Sequence, residues 1–153
     1  MKKAVSAAAA FVMASAMAAT AFAAPADEER NTEITTQIEP TYTIVVPADT
    51  AVDFNATTTD FGAVELVAAQ IDPSFAVNVT LDASGTLKNS ADASKTIAYS
   101  VESEDGKYTT AAYHTAGDKT DLTINIAQSQ WDEAFAGDYS DTVTFTIEYA
   151  AEA

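Results

Sequence analysis

The stretch Asp141-Thr142-Val143-Thr144-Phe145-Thr146-Ile147-Glu148-Tyr149 alternates polar and apolar side chains from Thr142 to its end. Its odd-numbered positions from 143 to 149 are all apolar, and its even-numbered positions are threonine or glutamate. Successive side chains of a β-strand point to opposite faces, so the stretch predicts a strand with one buried face and one face in water. Such strands build sheets that pack face to face.

Further stretches upstream show the same period of two. The clearest are residues 75–81, 97–101 and 122–126, and weaker strand candidates cover residues 51–54 and 63–67. Short strands with polar outer faces, separated by turns, are typical of all-β domains. The pattern predicts a β-sandwich of seven to nine antiparallel strands, of the Ig-like or jelly-roll type.

Two local features supplement the strands. The dipeptide Asp105-Gly106 predicts a tight hairpin turn within residues 104–107, because these residue types tolerate positive φ angles. Residues 129–135 predict the only helical turn, and no stretch from residue 24 onward keeps an apolar stripe long enough for a packed helix.

The longest alternating run covers residues 34–46. Its even positions include Ile34, Ile38, Tyr42, Ile44 and Val46, and most of its odd positions are polar. Residue 40 is a proline, which cannot donate a ladder hydrogen bond. We therefore expect either an edge strand or two strands that are separated at this proline.

The first 23 residues have the features of a secretory signal peptide. Lys2 and Lys3 precede an uncharged, alanine-rich stretch, and Ala21-Phe22-Ala23 supplies small residues for cleavage after Ala23. An uncleaved membrane anchor is the alternative. We expect a flexible acidic segment over residues 24–31 and one domain over residues 32–153. The expected location is extracellular or on the cell surface, with no membrane segment once the signal is removed.

The charge of the chain excludes two classes of partner. It carries 23 acidic and seven basic residues, a formal net charge of −16, and it contains no cysteine. Nucleic acids and anionic lipids are bound through Lys and Arg that neutralise phosphates, so neither is expected as a partner. Disulfides cannot contribute to the stability of the fold.

No catalytic pattern is present. His114 is the only histidine, and G-x-S-x-G, P-loop and H-E-x-x-H motifs are absent. We expect neither an enzyme nor a cofactor or metal site. The acidic clusters of residues 102–105 and 138–141 leave calcium binding open, although ordinary hydrated turns account for them as well.

Three aromatic residues are candidates for stacking on a ligand. Trp131, Tyr108 and Tyr113 would form an exposed platform if the protein were a monomeric secreted module that binds carbohydrate or a protein ligand. For Trp131 we favour a place at one end of the core, because large aromatic side chains are buried on average.

Two segments resemble known surface proteins. Residues 136–147, AGDYSDTVTFTI, resemble the closing "AGxYxDxVTxTI" strand of fimbrial subunits and spore-coat-U-like secreted proteins. Residues 42–47, YTIVVP, resemble the early "YTVTIPA" strand of small surface proteins from Gram-positive bacteria. The cysteine pair of many chaperone–usher pilins is absent here.

The fimbrial resemblance implies polymerisation, in which an N-terminal strand of one subunit completes the sheet of the next. The candidate donor residues are Ile34, Ile38, Tyr42, Ile44 and Val46, and the alternative is a plain first strand within the same domain. We therefore expect an exported structural or adhesive protein, of the pilin-like kind, whose partners are its own copies or other surface proteins. The monomeric binding module remains the alternative.

Overall fold

A computed structural model describes residues 31–151 of the chain. The chain divides into two compact units, Met1–Thr36 and Gln37–Ala153. The described part of the first unit, residues 31–36, is exposed and has no regular secondary structure. The predicted signal peptide and most of the predicted acidic segment lie outside the described residues. No helix within residues 31–151 is both long enough and apolar enough to span a membrane.

Within its described residues, the second unit contains one five-residue helix, and its other regular elements are strands. In chain order these are β1 (Thr41–Val45), β2 (Thr58–Gln70), β3 (Phe75–Asp82), β4 (Thr86–Asn89), β5 (Thr96–Ala98), β6 (Ser100–Ser103), β7 (Gly106–Lys107), β8 (Thr110–Tyr113), β9 (Lys119–Asn125), α1 (Gln128–Asp132), β10 (Tyr139–Ser140) and β11 (Thr144–Ala151).

The strands form three antiparallel sheets. One has the order β1-β2-β9-β6-β7, another β11-β3-β8, and the smallest β10-β4-β5. Apolar side chains from the first two sheets share one buried core, so the domain is an all-β sandwich, as predicted. The buried residues of this core are Phe61, Val64, Leu66, Val77, Val79, Val101, Tyr108, Tyr113 and Leu122.

A second, smaller core lies beside the third sheet. Ile97, Ile126 and Trp131 are buried together there, and Leu87 and Tyr139 pack against them. Helix α1 supplies the tryptophan, which confirms both the helical turn and the core position that the sequence favoured for Trp131.

The alternating stretches match the strands in most places. Residues 75–81 lie in β3, residues 122–125 in β9, and the last stretch forms β11 from Thr144 onward. The candidate at 63–67 lies within the longer strand β2. The eleven described strands exceed the expected seven to nine, because several two- to four-residue strands are separate from their neighbours.

Two strand predictions need correction. Residues 97–101 do not form one strand: β5 and β6 belong to different sheets, and the chain changes sheet at Tyr99, whose N–H donates to the Gly85 carbonyl (2.9 Å). Residues 51–54 are not a strand, because the chain turns there and the Ala56 N–H donates to the Asp53 carbonyl (3.1 Å). Local alternation did not reveal either turn.

The predicted hairpin is present between β6 and β7. Ser103 pairs with Gly106, and residues 104 and 105 form the turn. Only the glycine adopts a positive φ angle, 107°. This conformation is open to glycine because it has no Cβ.

Candidate functional site

Two of the sheets end on the same side of the sandwich. β1 is the last strand of the five-stranded sheet, and β11 is the last strand of the sheet that faces it. The rings of Tyr42 in β1 and Tyr149 in β11 lie 6.0 Å apart between centroids. We call the side bordered by β1 and β11 the open side.

Within residues 31–151, no strand pairs with the outer edge of β11. Its eight residues pair with β3 in continuous register, from Thr144 opposite Asp82 to Ala151 opposite Phe75, without a bulge. The strand contains no lysine, arginine or proline, and Glu148 is its only charged residue. Edge strands that avoid pairing with other chains are short, bulged, charged or covered. β11 therefore offers a regular row of backbone donors and acceptors.

The inner face of β11 is incompletely covered. Phe145, Ile147 and Tyr149 follow one another along this face, and the first and last pack against the core. Ile147, between them, is 38% exposed. A side chain in the middle of a sandwich face is normally buried by the opposite sheet. The apolar row of Phe145, Ile147 and Tyr149 is therefore partly open to solvent at its centre, and we refer to this row as the groove.

A cavity lies at each end of the open side. One, of about 370 Å³, is bordered by Ile38, Pro40, Phe75 and Tyr149. The other, of about 300 Å³, lies between the segment that follows β1 and the start of β11. Its apolar lining residues include Phe61, Val101, Ile124, Val143 and Phe145.

The candidate donor residues fall into two groups. Tyr42 and Ile44 lie in β1, which pairs with β2 of the same chain, and Val46 packs with Ile44 against the core. For this part of the run the structure forms the intramolecular strand that the sequence left as the alternative. Ile34 and Ile38 lie outside any strand and are 94% and 65% exposed. Their role as donors stays a prediction.

The opposite side of the sandwich is closed by the chain itself. Only Tyr108 and Thr109 separate β7 in one sheet from β8 in the other. The Tyr108 N–H donates to the Val101 carbonyl (2.9 Å), and the Leu81 N–H donates to the Thr109 carbonyl (2.8 Å). We call this the closed side.

The structure corrects the stacking hypothesis for the closed-side tyrosines. Tyr108 and Tyr113 are 5% and 2% exposed. The Tyr108 hydroxyl donates to the Val79 carbonyl (3.2 Å), and that of Tyr113 donates to Thr120 (2.8 Å). Burial, with the hydrogen bond to Tyr113, raises the pKa of Tyr108 above its usual range. Neither ring presents a face to a ligand.

Trp131 is also unavailable for stacking, in agreement with the core position that the sequence favoured for it. Its ring is 9% exposed, and its Nε1 donates to the Ala56 carbonyl (2.9 Å). The side chain therefore links helix α1 to the turn before β2. The tryptophan is part of the second core and offers no open platform to a sugar.

Asp141, which lies shortly before β11, forms hydrogen bonds with other parts of the same domain. Asp141 Oδ2 accepts hydrogen bonds from the Tyr99 hydroxyl (2.6 Å) and from Ser84 Oγ (2.7 Å). Partial burial raises the pKa of Asp141, but these bonds and one from the Thr142 N–H outweigh it and hold the pKa below its usual value. Within residues 31–151, no three His, Cys, Asp or Glu side chains are grouped to hold a metal ion.

His114 lies in the exposed loop that leaves β8. The backbone N–H groups of His114 and Thr115 donate to Asp118 Oδ2, at 2.7 and 2.9 Å. These bonds hold the pKa of Asp118 below its usual value. The arrangement orders the loop between β8 and β9.

The structure also reveals an aromatic residue that the sequence reading missed. Phe54 is 76% exposed and borders a cleft of about 430 Å³ between its own loop and β10. Its neighbours Asp53 and Asn55 are typical turn residues, and this was the available signal that Phe54 lies in a turn and not in a strand.

No protein-family model and no curated protein matches this chain. The resemblance to fimbrial subunits therefore rests on residues 136–147 alone. The geometry of the open side supplies the independent argument for function.

Proposed function

We propose that this chain is an exported structural or adhesive subunit of the cell surface, which assembles with its own copies by β-strand exchange. The observation that supports it is the free edge of β11, eight residues long and without a bulge, beside the partly exposed Ile147. The role needs no catalytic residue.

The donor that we propose is the segment around Ile34 and Ile38. Both isoleucines are exposed and lie outside any strand. Added strands bind through backbone hydrogen bonds, and alternate side chains enter the groove. With Thr36 between them, the two isoleucines present an apolar face when the segment is extended.

The spacing of the two isoleucines in the proposed donor segment matches the spacing of the two aromatic residues on the inner face of β11. Ile34 and Ile38 are four residues apart, as are Phe145 and Tyr149 on the inner face of β11. At about 3.3 Å per residue, both pairs span about 13 Å when extended. A strand added beside β11 can therefore place its isoleucines at the two ends of the exposed groove, with Thr36 level with Ile147.

The test is the mass and shape of the protein expressed without residues 1–23, by light scattering and negative-stain microscopy. We expect oligomers or filaments from this chain. The double substitution Ile34→Asp with Ile38→Asp is expected to leave monomers, because it would place two charges in an apolar groove.

The matched control is Thr35→Asp with Gln37→Asp. It adds two negative charges to the same segment on the opposite face of the strand. We expect it to assemble like the parent, which is the unsubstituted protein without residues 1–23. A parent that stays monomeric at every concentration contradicts the proposal, and so does equal assembly of parent and both double variants.

A further inference from the structure

Phe54 is the most exposed large apolar side chain of the second unit among the described residues, at 76%. Its exposure does not come from a free loop end. The turn is closed by the Ala56 N–H and the Asp53 carbonyl (3.1 Å), and Trp131 Nε1 donates to the Ala56 carbonyl (2.9 Å). The fold therefore fixes a large apolar ring in water.

The aromatic ring of Trp131 also holds the Phe54 ring in place. The two rings meet edge to face, with centroids 5.8 Å apart and planes at 80°. The next residue, Asn55, has a φ of 66°, in the left-handed region that asparagine adopts more readily than most other residues. The closed turn and the contact with Trp131 therefore hold the Phe54 ring in an exposed position.

The cleft beside Phe54 combines two kinds of surface. Its volume of about 430 Å³ falls in the range of small-molecule sites. Val52, Leu87 and Ile97 supply apolar lining, and Thr50, Asp138 and Ser140 supply hydrogen-bonding groups. An aromatic ring in a cleft that Thr, Ser and Asp residues also border matches a ligand that has an apolar face and a hydroxylated rim.

We propose that the Phe54 cleft binds a neutral saccharide. The C–H face of a pyranose packs on an aromatic ring, and its hydroxyl groups donate to carboxylates and exchange hydrogen bonds with Thr and Ser. Asp138 and Asp141 border the cleft, and the whole chain carries a formal net charge of −16, so sialylated and uronate-containing glycans are repelled. The proposal does not depend on self-assembly.

The only tryptophan of the chain provides the readout, because Trp131 touches Phe54. We would screen neutral oligosaccharides of glucose, mannose, galactose and N-acetylglucosamine on an array, with sialylated and uronate-containing oligosaccharides as the acidic set. Neutral hits would then be titrated in solution while Trp131 fluorescence is recorded. We expect binding from the neutral set and a change in emission.

Phe54→Ala is expected to weaken binding of the hit at least tenfold. The matched control is Phe135→Ala, an exposed aromatic that does not line this cleft, and it should bind like the parent. Ser140→Ala removes one hydroxyl group from the cleft without touching the loop, and it should weaken binding about threefold. This variant keeps the test valid if Phe54→Ala fails to fold.

Three outcomes overturn the proposal. They are no binding to any neutral oligosaccharide at millimolar concentration, binding that both cleft variants keep, and a preference for the acidic set. Binding to the neutral set that is lost in the cleft variants and kept in Phe135→Ala supports it. Because Ile34 and Ile38 do not line the cleft, the Ile34→Asp/Ile38→Asp protein should bind as well as the parent.

Discussion

The closed side and the open side of this sandwich join the same two sheets in opposite ways. The closed side ends in β7 and β8, which have two and four residues, and its tyrosines are buried and hydrogen-bonded to each other. The open side ends in β1 and β11, which have five and eight residues, and it leaves Tyr42 and Ile147 each 38% exposed.

The difference indicates which side of the described fold its own chain covers and which side keeps a long strand edge without a partner strand among the described residues. Short edges give another chain little to pair with, and a long regular edge gives it a template. The side that the chain covers should therefore contribute most to folding. The side that it leaves uncovered should matter more for association than for stability.

The largest effect expected is on the closed side. Tyr113→Ala should lower the free energy of unfolding by about 3–5 kcal/mol, because it removes a ring that is 2% exposed and leaves a cavity. Tyr42→Ala, on the open side, should cost about 1 kcal/mol, since its ring is partly in water already. Urea unfolding followed by Trp131 fluorescence measures both.

The background for this measurement is the Ile34→Asp/Ile38→Asp protein, so that self-association does not add to the apparent stability. Equal losses for the two tyrosines would break the distinction between the sides.

The next effect should separate association from stability. Ile147→Lys places a charge in the groove beside the free edge, and we expect it to prevent assembly in light scattering. Its cost in stability should be only about 1 kcal/mol, because the lysine stem covers apolar surface while the ammonium group reaches water. Thr146→Lys, on the outward face of the same strand, is the control for added charge. Unchanged assembly of Ile147→Lys would show that β11 is not the acceptor.

The smallest expected effect is a change in how Tm depends on pH in the acidic range. The pKa of Asp118 is lowered by its hydrogen bonds from the His114 and Thr115 N–H groups. A carboxylate whose pKa is lower in the folded state stabilises the fold above its unfolded pKa, and this contribution disappears as the pH falls through the folded pKa. Tm should therefore fall below about pH 4, and less steeply in Asp118→Asn. Parallel Tm–pH curves for the two proteins would contradict this role of Asp118.

Much of the fold was predictable because it depends on local alternation. The period of two over residues 75–81 and 142–149 fixed which side chains of β3 and β11 face the core, and the Asp105-Gly106 dipeptide located the hairpin. In each case the determinant is the backbone geometry of a strand or turn, which operates over a few residues.

The candidate site was predictable only in part. The alternating run that contains Ile34 and Ile38 was visible in the sequence, but the free edge of β11 was not, because any alternating strand can be central or terminal in its sheet. The burial of Tyr108 and Tyr113 follows from contacts between sheets, which composition does not specify. Residues 51–54 were predicted as a weak strand candidate, and the turn that exposes Phe54 is visible only in the structure.

Residue spacing along the chain was enough to indicate an all-β domain and the apolar face of each main strand, because both depend on the local period of two. Three features emerge only from the folded chain: the chain changes sheet at Tyr99, β1 and β11 end their sheets on one side, and Phe54 is exposed. The physical reason is that strand order, edges and burial depend on pairing between residues far apart in sequence. Alternation of polar and apolar residues predicts that one face of a strand is buried, but it does not specify which strand or sheet covers that face.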